Sequence, residues 1–322
     1  MENKEREEFY LKSASQIQDV DLEKLFYLIK KAVINNDKNM IKYETLISIG
    51  AENQGKRISR KNLEGFLNSI YKYWWKNWLL PKSKMDHDWQ KGIIKRYIDA
   101  GVFDPDSNNR IENIYEIMSE LSYKNLFEDA CRFQGNYFCV VDTDYFSVER
   151  QKRAKSFYDA KLYLNIKLEN RIELTKKLID KALKKDMPFV FKFALYDKRT
   201  DNIVIYVDYE NISDTADLID EVKKENENLF DGCQVKHPMI AKYRDYMGYG
   251  EEAIYGSYNS ARTDILTLTY LELSKHYKTD KNYLTDENII KEFKKNCKRE
   301  RVDFNNFYRN DNREWWEIYI EE

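Results

Sequence analysis

Three short runs between residues 161 and 208 alternate with period two, and they fix the expected architecture. Lys161-Leu162-Tyr163-Leu164-Asn165-Ile166 alternates polar and apolar without a break. In the second run Phe189, Phe191, Phe193 and Leu195 share one side while Val190, Lys192 and Ala194 share the other. In the third, Ile203, Ile205 and Val207 alternate with Val204, Tyr206 and Asp208. Side chains of a strand project to opposite faces in turn, so each run predicts a strand. Joined in one sheet, they put Leu162, Leu164, Ile166, Phe189, Phe191, Phe193, Ile203, Ile205 and Val207 on a core face. Lys161, Tyr163, Asn165, Lys192 and Tyr206 fall on the opposite face. Alternation reports burial rather than chemistry, and a one-sided antiparallel sheet carries lysines on its solvated side as a matter of course.

Elsewhere the period is helical. Leu22, Leu25, Phe26, Ile29 and Val33 recur at three- and four-residue steps behind Asp21, a good N-cap. Further helices are expected at 60–80, stopped by Pro81, and at 89–100 and 111–131. The cluster Tyr71, Tyr73, Trp74, Trp75 and Trp78 reads as a packing face before it reads as a peptide groove. From residue 136 the texture changes. A short strand at 137–141 precedes the basic stretch Arg150, Lys152, Arg153 and Lys155, most of which reads as a solvated face. Helices are expected at 172–183, 215–226, 263–276 and 287–297. The polar segment 198–202 is short enough to join the second and third strands as a hairpin. Gly248-Tyr249-Gly250, leading toward the helix at 263, is a candidate phosphate cradle, but its spacing fits neither a P-loop nor a dinucleotide fingerprint, and the segment also reads as an ordinary loop and cap. The aromatic end 315–320 is expected to close the sheet as an edge strand. The fold class is therefore α+β: a helical part over 1–135, then a lobe over 136–322 with a mostly antiparallel sheet flanked by helices.

Composition narrows the function. A net charge of −2 argues against nucleic acid bound through bulk positive charge. The charged N-terminus has no apolar signal-like stretch, and no run is long enough to span a bilayer. The expectation is a bacterial cytoplasmic protein without a membrane partner, although an effector secreted without a cleaved signal would look the same. Cys131, Cys139, Cys233 and Cys297 lack metal-ligand spacing, so no metal site or cofactor is expected. His87, His237 and His276 lie outside the strands and read as surface or core residues. Arg262, beside the start of a helix, is a candidate oxyanion receptor.

Taken together, Lys161 to Ile166, Pro188-Phe189-Val190-Phe191-Lys192, Arg199 to Val207 and Ser257-Tyr258-Asn259-Ser260-Ala261-Arg262 resemble the HopA-type effector family. That family includes lyases of class V lanthipeptide and thioviridamide-like peptide biosynthesis. The order of parts is more distantly similar to the phosphothreonine lyases injected by type III secretion systems. The resemblance covers about residues 137–270. It implies β-elimination of phosphate from a phosphoserine or phosphothreonine peptide, giving a dehydroamino acid. It implies Lys192 as general base, Lys161, Arg199, Tyr206 and Arg262 as phosphate contacts, and Tyr163 at the acid position where the distant lyases carry His. The implied partner is a phosphorylated precursor peptide made by a separate kinase, since no kinase signature occurs in this chain. A binding module that grips a phosphorylated or leader peptide without catalysis would use the same pocket.

Overall fold

The computed structural model describes residues 17–47, 131–134, 137–140, 159–185, 187, 189–194, 197, 199–253 and 257–311. The helices expected at 60–80 and 89–100, the aromatic cluster, the basic stretch, His87 and the strand at 315–320 lie outside them. So does the helix expected at 111–131, except that Cys131 opens a strand.

Among the described residues seven antiparallel strands make one sheet. They are β1 (Cys131–Gln134), β2 (Tyr137–Val140), β3 (Ala160–Leu164), β4 (Val190–Ala194), β5 (Ile203–Val207), β6 (Ala241–Arg244) and β7 (Met247–Glu251), in the order β1-β2-β4-β5-β3-β7-β6. The helices are α1 (Leu22–Ile34), α2 (Asn39–Lys42), α3 (Leu168–Lys184), α4 (Ile212–Glu225), α5 (Tyr258–Thr279) and α6 (Asp286–Arg299). The mixed α+β class and the hairpin of β4 and β5 are as the patterning requires.

All nine residues expected on the core face are buried, at 3% exposure or less. They share one continuous core with apolar residues of α1, α3, α4, α5 and α6. Helix α1 joins it through Leu25, Ile29 and Val33 and through Phe26, whose ring meets Phe293 edge-on at 5.2 Å. Asp21 caps α1 by accepting from the Lys24 amide, as its position in the sequence suggests. The fully buried guanidinium of Arg171 pins the ends of two strands, donating to the carbonyls of Ile166 (2.9 Å) and Ala194 (2.7 Å). At the sheet's outer side, Gln18 exchanges both backbone hydrogen bonds with Lys242 of β6, each at 2.8 Å.

Two features depart from the sequence reading. Gly248-Tyr249-Gly250 is not a loop but the heart of β7, which pairs with β3 through Leu162↔Tyr249 and Tyr163↔Gly248. Tyr249 belongs to the core face, while the glycines make room on the other side. A Cβ on Gly248 would meet Ile240 Cγ2 at 2.4 Å, and one on Gly250 would meet the Tyr258 ring at 2.8 Å. That close approach is the second departure. The face expected to be solvated is largely covered, because Tyr163, Val204, Ile240 and Tyr258 form a second small apolar cluster over it, with Tyr206 and Val235 at its rim.

Candidate functional site

The second face is laid out by strand register. Lys192 pairs with Val204 and Val204 with Tyr163, which makes one row across β4, β5 and β3 that continues to Gly248 of β7. The neighbouring row on the same face runs Val190, Tyr206, Lys161 and Gly250. Adjacent strands lie about 4.8 Å apart, so two rows bring Lys192, Tyr206, Lys161 and Tyr163 into one patch.

The side chains converge accordingly. Lys161 Nζ lies 5.2 Å and Lys192 Nζ 5.6 Å from the centre of the Tyr206 ring, within cation–π range of the same aromatic. Lys192 and Tyr206 are half-buried, whereas Lys161 is buried and holds Glu252, with Nζ 2.6 Å from Oε1 and 2.5 Å from Oε2. Tyr163 is buried 6.2 Å from the Tyr258 ring. Burial, then the neighbouring Tyr258, Asp201 and Glu252, push its phenol well above the ordinary tyrosine value. Tyr163 therefore keeps its proton and can only donate toward an anion.

At the open end of β5 lies a second polar group that the sequence reading did not assemble. Arg199, expected as a phosphate contact, pairs with buried Asp201 (Nε to Oδ1 2.6 Å), and Asn259 Nδ2 donates to the other carboxylate oxygen at 2.8 Å. His237 is buried beside them. Burial holds its imidazole down at about 4, with Asp201 opposing that shift and Arg199 reinforcing it. Its Nδ1 accepts the Met239 amide at 3.1 Å, and the Met239 carbonyl accepts the Tyr258 hydroxyl at 2.6 Å. The 237–240 loop is thus fastened to the start of α5. Nothing periodic marks a loop histidine, so no sequence signal could have placed it here; Asp201 and Asn202, in the turn before β5, were the nearest clue.

Arg262 is held in a different set of contacts. Its guanidinium is buried, stacks 4.7 Å from the Tyr258 ring, and donates to the Phe307 carbonyl (2.9 Å) and Asn310 Oδ1 (3.3 Å). The structure therefore brings Lys161, Lys192, Tyr163 and Tyr206 together, sets Arg199 on Asp201, and ties Arg262 to the segment after α6. Among the described residues no group of three or more His, Cys, Asp or Glu is placed to hold a metal ion. No helix among them is long and apolar enough to cross a membrane.

No family model and no curated protein matches the chain. The solved structures similar to it include two of effector proteins. One is from Pseudomonas syringae pv. syringae strain 61, at 12% identity and a TM-score of 0.47, covering 90% of this chain and 96% of that one. The other is from Pseudomonas syringae pv. tomato strain DC3000, at 12% identity and a TM-score of 0.46, covering 90% and 97%.

Proposed function

We propose that this protein is a phosphoserine/phosphothreonine lyase that eliminates phosphate from a phosphorylated peptide, leaving a dehydroamino acid, in lanthipeptide-type peptide biosynthesis. One observation carries the reading: the amines of Lys192 and Lys161 flank a single tyrosine ring on a covered sheet face, with Tyr163 in the same row as Lys192. In its neutral form the Lys192 amine takes the Cα proton of the phosphorylated residue. The electron pair left behind becomes the Cα=Cβ bond, the Cβ–O bond breaks, and its electrons depart with phosphate. Lys192 then returns its proton to water. An ammonium has three donors, so Lys161 can hold Glu252 and still offer an N–H to the phosphate. Tyr163 donates to an oxygen of the leaving group, and the half-buried edge of Tyr206 fills the floor between the amines. Arg262 acts at one remove, by stacking on the Tyr258 ring that faces Tyr163.

The test is a phosphorylated Ser/Thr peptide, with mass loss of one phosphoric acid as the readout. Lys192→Ala should abolish that loss and keep peptide affinity within a fewfold, because the base helps only the transition state. If the wild type never yields the mass loss, the lyase reading is wrong. The structure gives a specific reason to keep a second reading, a module that binds phosphopeptide or leader peptide without catalysis. Lys161 and Arg199 already face Glu252 and Asp201, which offset their charge. Wild-type affinity for the peptide without turnover would select it.

A further inference from the structure

His237 is built into the covered face in a way that neither packing nor the elimination chemistry uses. The ring is 4% exposed, and its Nε2 is buried without a hydrogen-bond partner among the described residues. Its Nδ1 accepts the Met239 amide, which leaves the ring proton of the neutral imidazole on Nε2. A buried N–H without an acceptor costs free energy, and native proteins keep few of them. The ring cannot easily turn away to find one. It is locked by the Met239 amide, and the loop is locked by the Tyr258–Met239 hydrogen bond and by Ile240 seated against Gly248. Val235 and Ile240, on either side of it in the chain, pack with Tyr163, Val204 and Tyr258 over the covered face, so His237 adjoins the row that holds the phenol; the charges that act on the ring are Asp201 and Arg199. The carboxylate that acts on it is engaged, since Asp201 is held by Arg199 and Asn259. Among the described residues this fixed donor thus meets no protein acceptor.

We propose that His237 Nε2–H is a ligand-binding donor that receives an oxygen of the phosphate group, making His237 a further binding residue of this site. The assignment rests on the reading of the face as a phosphate site, but not on whether elimination follows. An oxyanion suits the position because a neutral, buried N–H gains most from a charged acceptor, and charge-assisted bonds are about twice as strong as neutral ones. The imidazole contributes as a donor only; no proton transfer from it is invoked.

The chain has three histidines, so histidine-selective 15N labelling gives a spectrum that can be followed site by site. Inorganic phosphate titrated into the full-length wild type should move the His237 Nε2 resonance saturably. That of His276, stacked on Tyr283 at 4.3 Å on α5, should stay in place. His237→Phe keeps a ring and removes the N–H, and should weaken phosphate binding roughly tenfold or more. His237→Gln, which restores a donor, should recover part of the loss. Thermal unfolding of both variants shows whether the fold is intact, and the wild-type titration stands if neither folds. A His237 signal that stays fixed while phosphate binds elsewhere, or no phosphate binding at all, overturns the proposal. The peptide assay separates the two claims. Elimination with an unresponsive His237 sinks this inference alone, and a responsive His237 without elimination sinks only the lyase.

Discussion

At the scale of single residues, the feature that decides the site's strength is the carboxylate of Glu252 on Lys161. The pair is only partly exposed, with Lys161 at 8% and Glu252 at 27% side-chain exposure, so solvent screens it less than a surface pair. A phosphate arriving at Lys161 meets a cation whose field is already compensated, and a second anion beside it. Glu252→Gln removes the competing charge and keeps a hydrogen-bond acceptor. Phosphopeptide should therefore bind severalfold more tightly to the variant, most visibly at low salt, as read by calorimetry. Weaker binding would mean that Glu252 serves to hold the amine in place. Tyr163 carries the opposite lesson. Its phenol is kept protonated by burial, so it is suited to donate and unsuited to act as a base.

At the scale of elements, β7 shapes the covered face by what it lacks. Gly250→Ala sets a methyl against the rigid, buried Tyr258 ring at 2.8 Å, and the ring is pinned by its hydroxyl to Met239. The strain should destabilise the protein by about 1–3 kcal/mol in chemical denaturation, with a matching loss at the site because Tyr258 faces Tyr163. The same strand shows where reading the sequence succeeds and stops. β3, β4 and β5 were legible because their alternation spans five or more residues with large aliphatic and aromatic side chains on one side. β7 was not, because glycine carries no hydropathy and its register shows only once β3 lies beside it. Helix α5 starts at Tyr258, five residues before the expected 263, because Ser257 supplies the cap by accepting from the Ser260 amide. Lys192 and Tyr206 could be placed from period two alone. His237 and Asp201 could not, since long-range loop packing has no local signature.

At the scale of the molecule, the last described segment is clasped to the sheet through Glu251. Its carboxylate is fully buried, accepts the Asn310 amide at 2.7 Å and faces Tyr209 and Arg309. Burial pushes it up to about 7 from an ordinary 4.5, so between those values the native state holds a proton that the unfolded chain has released. The stability this contributes is full below 4.5 and is lost as pH rises to about 7, amounting to about 3 kcal/mol over the window. Glu251→Gln keeps the acceptor and abolishes the titration. Its stability should fall less than that of the wild type from pH 4.5 to 7; parallel curves would rule this linkage out.

The backbone exchange between Gln18 and Lys242 has a bearing on how copies of the protein meet. Among the described residues β6 is a terminal strand of the sheet, and a bare terminal strand offers free amides and carbonyls to any extended chain nearby. The residue ahead of α1 occupies that position and closes it with two bonds. Gln18→Pro would delete one of them, and light scattering should then report concentration-dependent self-association. The Gln18 bridge thereby takes up an amide and a carbonyl of β6 that a second copy could otherwise pair with.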